Sequence, residues 1–372
     1  MRVLIDGNSL VLRTGATHLS GIGRSVFELC KAIDALHPDD PSVSVLTQTF
    51  RGRIASEFAY LRRKNLLWPI GPRFDRLRSA LPCLEVLARH DLLHVPHNFG
   101  PMFRPSRTVL TIHDAIFFTF PEDRLGHRSM RKLMPKAAQA CRMIAAPSES
   151  ARRDIVEYLG VAQERVVVIP WGVDASRFRA DDKVAAAARV RSQFRLQRPY
   201  FFSASCSTGR KNTLTTLMAF RHALAIGCEH DFVVAWPKPE PSLLQEFSAE
   251  ITSGRLVVAQ HVNDALLADL YAGAAATFFP SRYEGFGFPV LESMSCGTPV
   301  VTCANSSLVE VGGDVALYVE PDDIDAMAEL MRDFALEPDA ELTRRCVAHA
   351  SSFRWETTAK RYLDFYRTAL ED

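Results

Sequence analysis

Short apolar runs alternate with longer stretches of helical spacing along this chain. Val3–Ile5 reads as a buried parallel strand, and Gly21–Leu36 as the helix that follows it. Val43–Leu46, Leu92–Val95, Thr108–Ile112 and Met143–Ala146 predict further strands, and Val166–Ile169 closes this half. These runs lack the in-out alternation of half-exposed strands, as expected for sheets covered on both faces. The pattern breaks at Pro170-Trp-Gly-Val-Asp174 and the polar stretch to Lys183, then restarts. Strands are predicted at Tyr200–Ala204, Phe232–Ala235, Leu256–Val258, Ala276–Phe279, Pro299–Thr302 and Leu317–Val319, with helices at Thr213–Ile226 and Ala265–Ala272. Repeated strand-helix units call for right-handed crossovers and parallel sheets. The expected fold class is therefore α/β, with two Rossmann-like domains of parallel sheet at 1–172 and 173–355. A last helical pattern, Trp355–Leu370, is expected to bring residues 356–372 back onto the first half. Ligands of open α/β sheets bind at the carboxyl ends of strands, so two such sheets are expected to face a central cleft.

The length agrees with two domains. The chain has 372 residues, and single cores stop growing near about 250–300 residues. Its 47% apolar and 23% charged residues suit a soluble globular protein. A net charge of +1 implies no bulk attraction to nucleic acid. Charge is locally uneven. Between Arg51 and Arg78 stand Arg51, Arg53, Arg62, Arg63, Lys64, Arg73, Arg76 and Arg78 against Glu57 and Asp75, with Leu66, Leu67, Trp68 and Ile70 interleaved. Such a mixture fits either an anionic membrane surface or a solvated helix face. The eight cysteines are scattered with no Cys-x-x-Cys spacing, so reduced, buried thiols are expected rather than zinc or redox motifs. The apolar run at Met1–Asp6 is too short for a signal peptide, and no apolar run reaches 18 residues. A cytoplasmic protein is expected, peripheral on the inner face of the membrane if the basic stretch docks there.

The densest chemistry lies in Pro280-Ser-Arg-Tyr-Glu284-Gly-Phe-Gly-Phe-Pro-Val-Leu-Glu292. Two carboxylates stand eight residues apart across a glycine-rich turn. Gly285 and Gly287 let backbone approach a ligand closely. Pro289 suits the first turn of a helix running to about Ser295, whose amino end offers N–H groups to a diphosphate. Glu284 lies in the loop, near a sugar hanging from that diphosphate; Glu292, one turn into the helix, is placed to accept from ribose hydroxyls. A plain strand-turn-helix would also use the glycines. The paired glutamates and the following Cys296-Gly-Thr-Pro-Val-Val301 favour a binding site.

With Ser20-Gly-Ile-Gly-Arg24, Thr111-Ile-His-Asp114, Ser148-Glu-Ser-Ala-Arg-Arg153, Val168-Ile-Pro-Trp-Gly-Val-Asp174, Arg210-Lys-Asn212 and Ser306-Ser-Leu-Val-Glu310, that motif resembles the retaining glycosyltransferases of family 4, whose signature is Glu, seven residues, Glu. The resemblance spans nearly the whole chain and is nearest to bacterial mannosyltransferase-like members that build surface polysaccharides. It implies the GT-B fold, with an acceptor-side first domain and a donor-binding second one. It implies Lys211 and Arg210 on the donor diphosphate, Glu284 on a sugar hydroxyl and Glu292 on the ribose. The N–H groups of Phe286, Gly287 and Phe288 would line sugar and phosphate. Gly21 and Gly23, in the first strand-helix loop, would approach phosphate or acceptor, with His113 by the reacting centre and Asp114 and His97 on the acceptor side. Charge-assisted contacts to phosphate are worth about 1.5–3 kcal/mol each and stabilise the leaving group.

Structural roles stand beside these. Arg210 and Lys211 also read as surface charges, Gly21 and Gly23 as a tight turn, and His113-Asp114 as a capping pair. His94 and His97 have metal-pair spacing by eye, but Pro96 and the loop setting favour a structural or acceptor-side role. Glu149 reads as a cap-region acid. Two stretches depart from the family. Ser203–Gly209 lacks a second cationic phosphate ligand, and Ala235–Pro241 lacks a glycine. Retention by double displacement needs a carboxylate nucleophile, and none stands out, so same-face attack assisted by the diphosphate is expected. No Asp-x-Asp suited to a metal stands out; Asp322-Asp323 reads as a loop acid pair, and neither cofactor nor divalent metal is expected. The expected partners are a nucleotide-sugar donor, a GDP-sugar first among them, and a saccharide or lipid-linked acceptor. The competing classes are an epimerase or phosphorylase on the same fold, a nicotinamide oxidoreductase and an inactive partner subunit. Val26 stands where the third glycine of a dinucleotide fingerprint belongs, and the intact Glu284, Glu292 and Lys211 argue for activity.

Overall fold

The computed structural model describes residues 1–12, 19–48, 53–54, 58, 61–66, 89–98, 102, 104–120, 125–205, 209–334 and 339–371. The chain forms two compact units, Met1–Gly172 with Arg354–Asp372, and Val173–Phe353.

In the first unit the strands are β1 (Arg2–Asp6), β2 (Val11–Leu12), β3 (Ser42–Gln48), β4 (Arg53–Ile54), β5 (Arg62–Leu66), β6 (Leu92–Val95), β7 (Thr108–Thr111), β8 (Met143–Ala146) and β9 (Val166–Val168). Seven form a parallel sheet in the order β5-β3-β1-β6-β7-β8-β9, while β2 and β4 make a small antiparallel pair. Val3 pairs with Val43 on one side and Leu92 on the other, so the order reverses between β1 and β6. β6 and β7 are buried at every position, which is what runs without alternation predict. A core of Leu4, Leu93, Leu110, Ile144, Ile155 and neighbours fills one face.

The helix Gly21–Leu36 starts where Ser20 accepts the Gly23 N–H, a hydroxyl capping an orphan donor. The last helix, Trp355–Glu371, belongs to this unit because its apolar residues recur at helical spacing. Trp355, Ala359, Tyr362, Tyr366 and Ala369 are buried, and two of their hydroxyls reach the sheet. Tyr362 OH lies 2.9 Å from Thr111 Oγ1, and Tyr366 OH lies 2.8 Å from His94 Nδ1. Burying such aromatic bodies contributes about 1.5–3 kcal/mol each.

The basic stretch around residues 51–78 needs correction where it is described. Residues 62–66 are not a helix face; they form edge strand β5 beside β3, with Arg62 and Arg63 exposed. Charged side chains on an edge strand oppose pairing with another chain. Arg51, Leu67, Trp68, Ile70, Arg73, Arg76 and Arg78 lie outside the described residues. No helix among the described residues is long and apolar enough to cross a membrane.

The second unit has β10 (Tyr200–Ala204), β11 (Asp231–Ala235), β12 (Leu256–Ala259), β13 (Ala276–Phe279), β14 (Val300–Cys303) and β15 (Leu317–Val319) in the parallel order β12-β11-β10-β13-β14-β15. Its reversal point lies between β10 and β13. Helices Lys183–Phe194, Ile324–Asp333 and Ala340–Ala350 add to those the apolar spacing predicts. Six cysteines, Cys30, Cys141, Cys228, Cys296, Cys303 and Cys346, are buried free thiols; Cys83 and Cys206 lie outside the described residues.

Candidate active site

At the reversal point of the second sheet, two loops converge. One leaves β10 and ends in a single tight turn, Gly209–Lys211, before the helix Thr213–Ala225. The other leaves β13 as Pro280–Gly287 and opens the helix Phe288–Ser295. The loops are strapped together: the Arg282 N–H donates to the Arg210 carbonyl at 2.9 Å, and Arg210 Nη1 donates to the Tyr283 carbonyl at 2.7 Å. Asn212 turns the first loop through a left-handed conformation, φ 57°, which asparagine tolerates better than most residues. Its side chain donates to the Pro321 carbonyl at 2.6 Å and accepts from Arg282 at 3.0 Å.

The strap brings together three of the residues expected in the site. Glu284 Oε1 lies 2.8 Å from Lys211 Nζ, 2.7 Å from Arg210 Nη1 and 2.8 Å from Ser281 Oγ. Burial alone would raise the Glu284 carboxyl. The Lys211 and Arg210 charges and the hydrogen bonds from Lys211 and Ser281 outweigh it and hold the group below the ordinary carboxylate range. Lys211 also lies 4.4 Å over the Phe279 ring. Two cations against one anion leave this buried cluster a net positive charge, suited to an anionic ligand.

Serines fix the loop from behind. The Glu284 N–H donates to Ser306 Oγ at 3.0 Å, and Ser307 Oγ is 2.8 Å from the carbonyls of both Glu284 and Phe286. Gly287 caps the following helix with φ 108°, and a Cβ there would stand 3.1 Å from Leu308 Cδ2. The position therefore demands glycine for its conformation, and a side chain there would also press on Leu308. Phe286 is buried edge-on to Phe288 at 5.3 Å, Pro289 sits in the first helical turn, and Glu292 is buried within the helix. Asp322 and Asp323 separate in role: Asp322 pairs with Arg282, while Asp323 accepts the Ala326 N–H at 2.9 Å and caps the next helix. Of the unusual stretches, residues 206–208 lie outside the described residues, and Trp236 in the second is buried.

The first unit gathers polar groups at its own reversal point, where β1, β6 and β7 end. Asp6 closes β1, with its Oδ2 3.3 Å from His97 Nε2. Asn98, also left-handed at φ 52°, accepts the His113 N–H at 2.7 Å. His113 is buried against Trp171, with 5.0 Å between ring centroids, and its Nε2 lies 2.8 Å from the Pro96 carbonyl. A carbonyl only accepts, so Nε2 carries the proton and Nδ1 holds a lone pair. Desolvation lowers the His113 pKa to about 4, so the ring is neutral at pH 7. Asp114 accepts the Ile116 N–H at 3.2 Å and closes the turn after β7.

Three expectations are refined. Gly21 and Gly23 lie not in the strand-helix loop but in the first helical turn, because Ser20 caps the helix there. A Cβ on Gly23 would stand 2.6 Å from the Ser9 carbonyl, so this glycine serves close packing, whereas a Cβ on Gly21 meets none of the described residues. His94 is fully buried, held between Thr111 at 2.7 Å and Tyr366, and belongs to the core. Glu149 follows the Ser148 cap and pairs with Arg152 at 3.2 Å. Ser281, Ser306 and Ser307 stand in the quoted motifs without an assigned role, and Asp6 and Asn98 were not singled out by sequence. Ser281 and Asp6 carried a usable signal, being polar residues at or just after strand ends at a sheet reversal.

The Glycosyltransferase Family 4 model matches residues 19–177, and the Glycosyl transferases group 1 model matches residues 200–335. The chain is 28% identical over 386 residues to O-antigen chain mannosyltransferase B of Escherichia coli, covering 94% of this chain and 96% of that one. It is also 28% identical over 279 residues to a serotype-specific mannosyltransferase, WbdA, of the same organism, covering 72% of this chain and 34% of that one. Among solved structures, sucrose-phosphate synthase from Thermosynechococcus elongatus superposes with a TM-score of 0.75 at 18% identity, over 99% of this chain and 98% of that one. Two parallel-sheet units of GT-B type, a family 4 match over the first and a group 1 match over the second identify this chain as a member of the family 4 glycosyltransferases.

Proposed function

We propose that this glycosyltransferase moves mannose from GDP-mannose, with retention at the anomeric carbon, onto a saccharide or lipid-linked saccharide during assembly of a bacterial surface polysaccharide. The observation that carries the proposal is the buried Lys211–Arg210–Glu284 cluster at the reversal point of the second sheet. Its excess positive charge suits a diphosphate, and its carboxylate suits sugar hydroxyls. Similarity to the O-antigen chain mannosyltransferase over nearly the whole chain supports mannose as the sugar.

In this reaction the bond from the anomeric carbon to the diphosphate oxygen breaks, and a bond from the acceptor hydroxyl forms on the same face. The acceptor proton passes to a phosphate oxygen. Lys211 and Arg210 stabilise the charge growing on the diphosphate, a role that requires no divalent metal. Glu284 holds a sugar hydroxyl, Glu292 the ribose, and the N–H groups of Phe286, Gly287 and Phe288 line the donor. His113, Asp114 and His97 serve the acceptor side, with Gly21 leaving room for it. The enzyme works in the cytoplasm on an acceptor anchored at the inner membrane face. Arg62 and Arg63, exposed on β5, belong to the basic stretch assigned to that contact. Incubation with GDP-α-mannose and an α-linked mannotriose, followed by NMR of the product, tests the proposal. An α-linked new residue supports it; a β-linked product excludes retention, and absence of GDP-mannose binding in a calorimetric titration excludes the donor.

A further inference from the structure

Asp6 and His97 come from the ends of β1 and β6, the two strands between which the first sheet reverses its order. In open α/β sheets that is where ligands dock. The Asp6 carboxylate is used on both sides. Its Oδ1 accepts the Asn8 N–H at 3.0 Å and the Asn8 side-chain amide, and its Oδ2 lies 3.3 Å from His97 Nε2. A carboxylate beside Nε2 keeps the proton on that nitrogen and fixes the ring plane. The lone pair then sits on Nδ1. That atom is buried and has no hydrogen-bond partner among the described residues, although the His97 side chain as a whole is 19% exposed and borders solvent. One strand over, His113 Nδ1 is likewise buried and without a partner among the described residues, the ring's proton being held on Nε2 by the Pro96 carbonyl.

We propose that the Asp6–His97 pair is a hydroxyl-binding element of the first unit, in which Asp6 is a positioning residue and His97 Nδ1 accepts a hydrogen bond from an O–H of the acceptor saccharide. This rests on the glycosyltransferase reading given above. The lone pair selects the ligand chemistry. Phosphate and carboxylate oxygens are acceptors and have no proton to offer it, whereas a sugar hydroxyl does. A buried acceptor is satisfied only by a donor brought to it. Burial first, and then the nearby His97, lower the His113 pKa, so that ring is neutral and a neutral, polyhydroxylated ligand suits the site best.

Two substitutions separate this role from a structural one. His97→Gln sets an amide N–H where Nε2 was, keeping a donor for Asp6 but removing the acceptor at the Nδ1 position. His97→Asn sets an amide oxygen near the Nδ1 position and gives up the partner of Asp6. The measurement is the KM for α-linked mannotriose with GDP-mannose as donor, beside GDP affinity and melting temperature. The expected result is a rise of about tenfold to a hundredfold in acceptor KM for His97→Gln, at unchanged GDP affinity and melting temperature, with partial recovery in His97→Asn. Asp6→Asn raises the same KM by a smaller factor. An unchanged acceptor KM in His97→Gln in an otherwise active enzyme overturns the pair's role and leaves the glycosyltransferase reading intact. So does a loss confined to His97→Asn that follows its melting temperature. Wild-type protein that transfers nothing from GDP-mannose to mannotriose overturns the parent reading, and this inference with it.

Discussion

Lys211 Nζ and Glu284 Oε1 lie 2.8 Å apart, 73 residues distant in sequence, with both side chains largely withdrawn from water. Removing either partner of such a pair leaves the other desolvated, so each substitution has a thermodynamic signature as well as a catalytic one.

Replacing Lys211 with alanine is expected to weaken GDP binding by about tenfold to a hundredfold, the equivalent of one charge-assisted phosphate contact. Calorimetric titration measures it. Unchanged affinity removes Lys211 from the donor site.

Glu284→Gln removes the charge that Lys211 and Arg210 compensate. Transfer is expected to fall by at least about a hundredfold while GDP affinity holds or tightens, since the cations then lack a competing carboxylate. Steady-state kinetics beside equilibrium binding separates the effects. Full activity in this variant sinks the sugar-holding role.

Gly21 and Gly23 are expected to respond oppositely to alanine. A methyl on Gly21 meets nothing within 4 Å among the described residues, and alanine favours a helix over glycine by about 1 kcal/mol, so stability holds or rises. A methyl on Gly23 runs into the Ser9 carbonyl at 2.6 Å, so the melting temperature falls. If Gly21 admits a ligand, Gly21→Ala lowers activity without lowering stability. Loss of both together in Gly21→Ala contradicts that role.

Stability is expected to fall on mild acidification because of two buried histidines. Desolvation lowers His94 to about 3 and His113 to about 4, against 6.5 when exposed. Between those values and 6.5 the unfolded chain binds more protons than the folded one, so stability rises with pH across that window and is complete above it. At pH 5 each histidine removes about 2 kcal/mol. Denaturant melts at pH 7.5 and 5.0 read the slope. His94→Gln should flatten it, and an unchanged slope in that variant contradicts the assignment.

The two-domain α/β pattern was legible because parallel strands buried on both faces leave unbroken apolar runs, and Gly21–Leu36 carries its own amphipathic stripe. Lys183–Phe194 escaped notice because a run of alanines has helix propensity but little apolar periodicity. Edge strand β5 was hidden because Arg62-Arg-Lys-Asn-Leu66 has the composition of a surface segment; only pairing with β3 makes it a strand. In the candidate site, Glu284, Lys211 and Arg210 were visible as motif residues, but their mutual pairing was not. It depends on two loops meeting at a sheet reversal, a property of topology rather than spacing. The serines that hold the Glu284 loop, Ser306 and Ser307, do so from a third loop.

The most direct test of a nucleotide-sugar site built on Lys211 and Glu284 is a thermal-shift panel of GDP, GDP-mannose, UDP, UDP-glucose, ADP and NAD on wild type and Lys211→Ala. A ligand at about 100 times its Kd adds about 2.7 kcal/mol of stability, a plainly readable shift. GDP and GDP-mannose are expected to raise the wild-type melting temperature, with the shift largely lost in Lys211→Ala. A shift with UDP compounds alone keeps the enzyme class and discards mannose from GDP-mannose. A shift with NAD, or none with any nucleotide, contradicts the site.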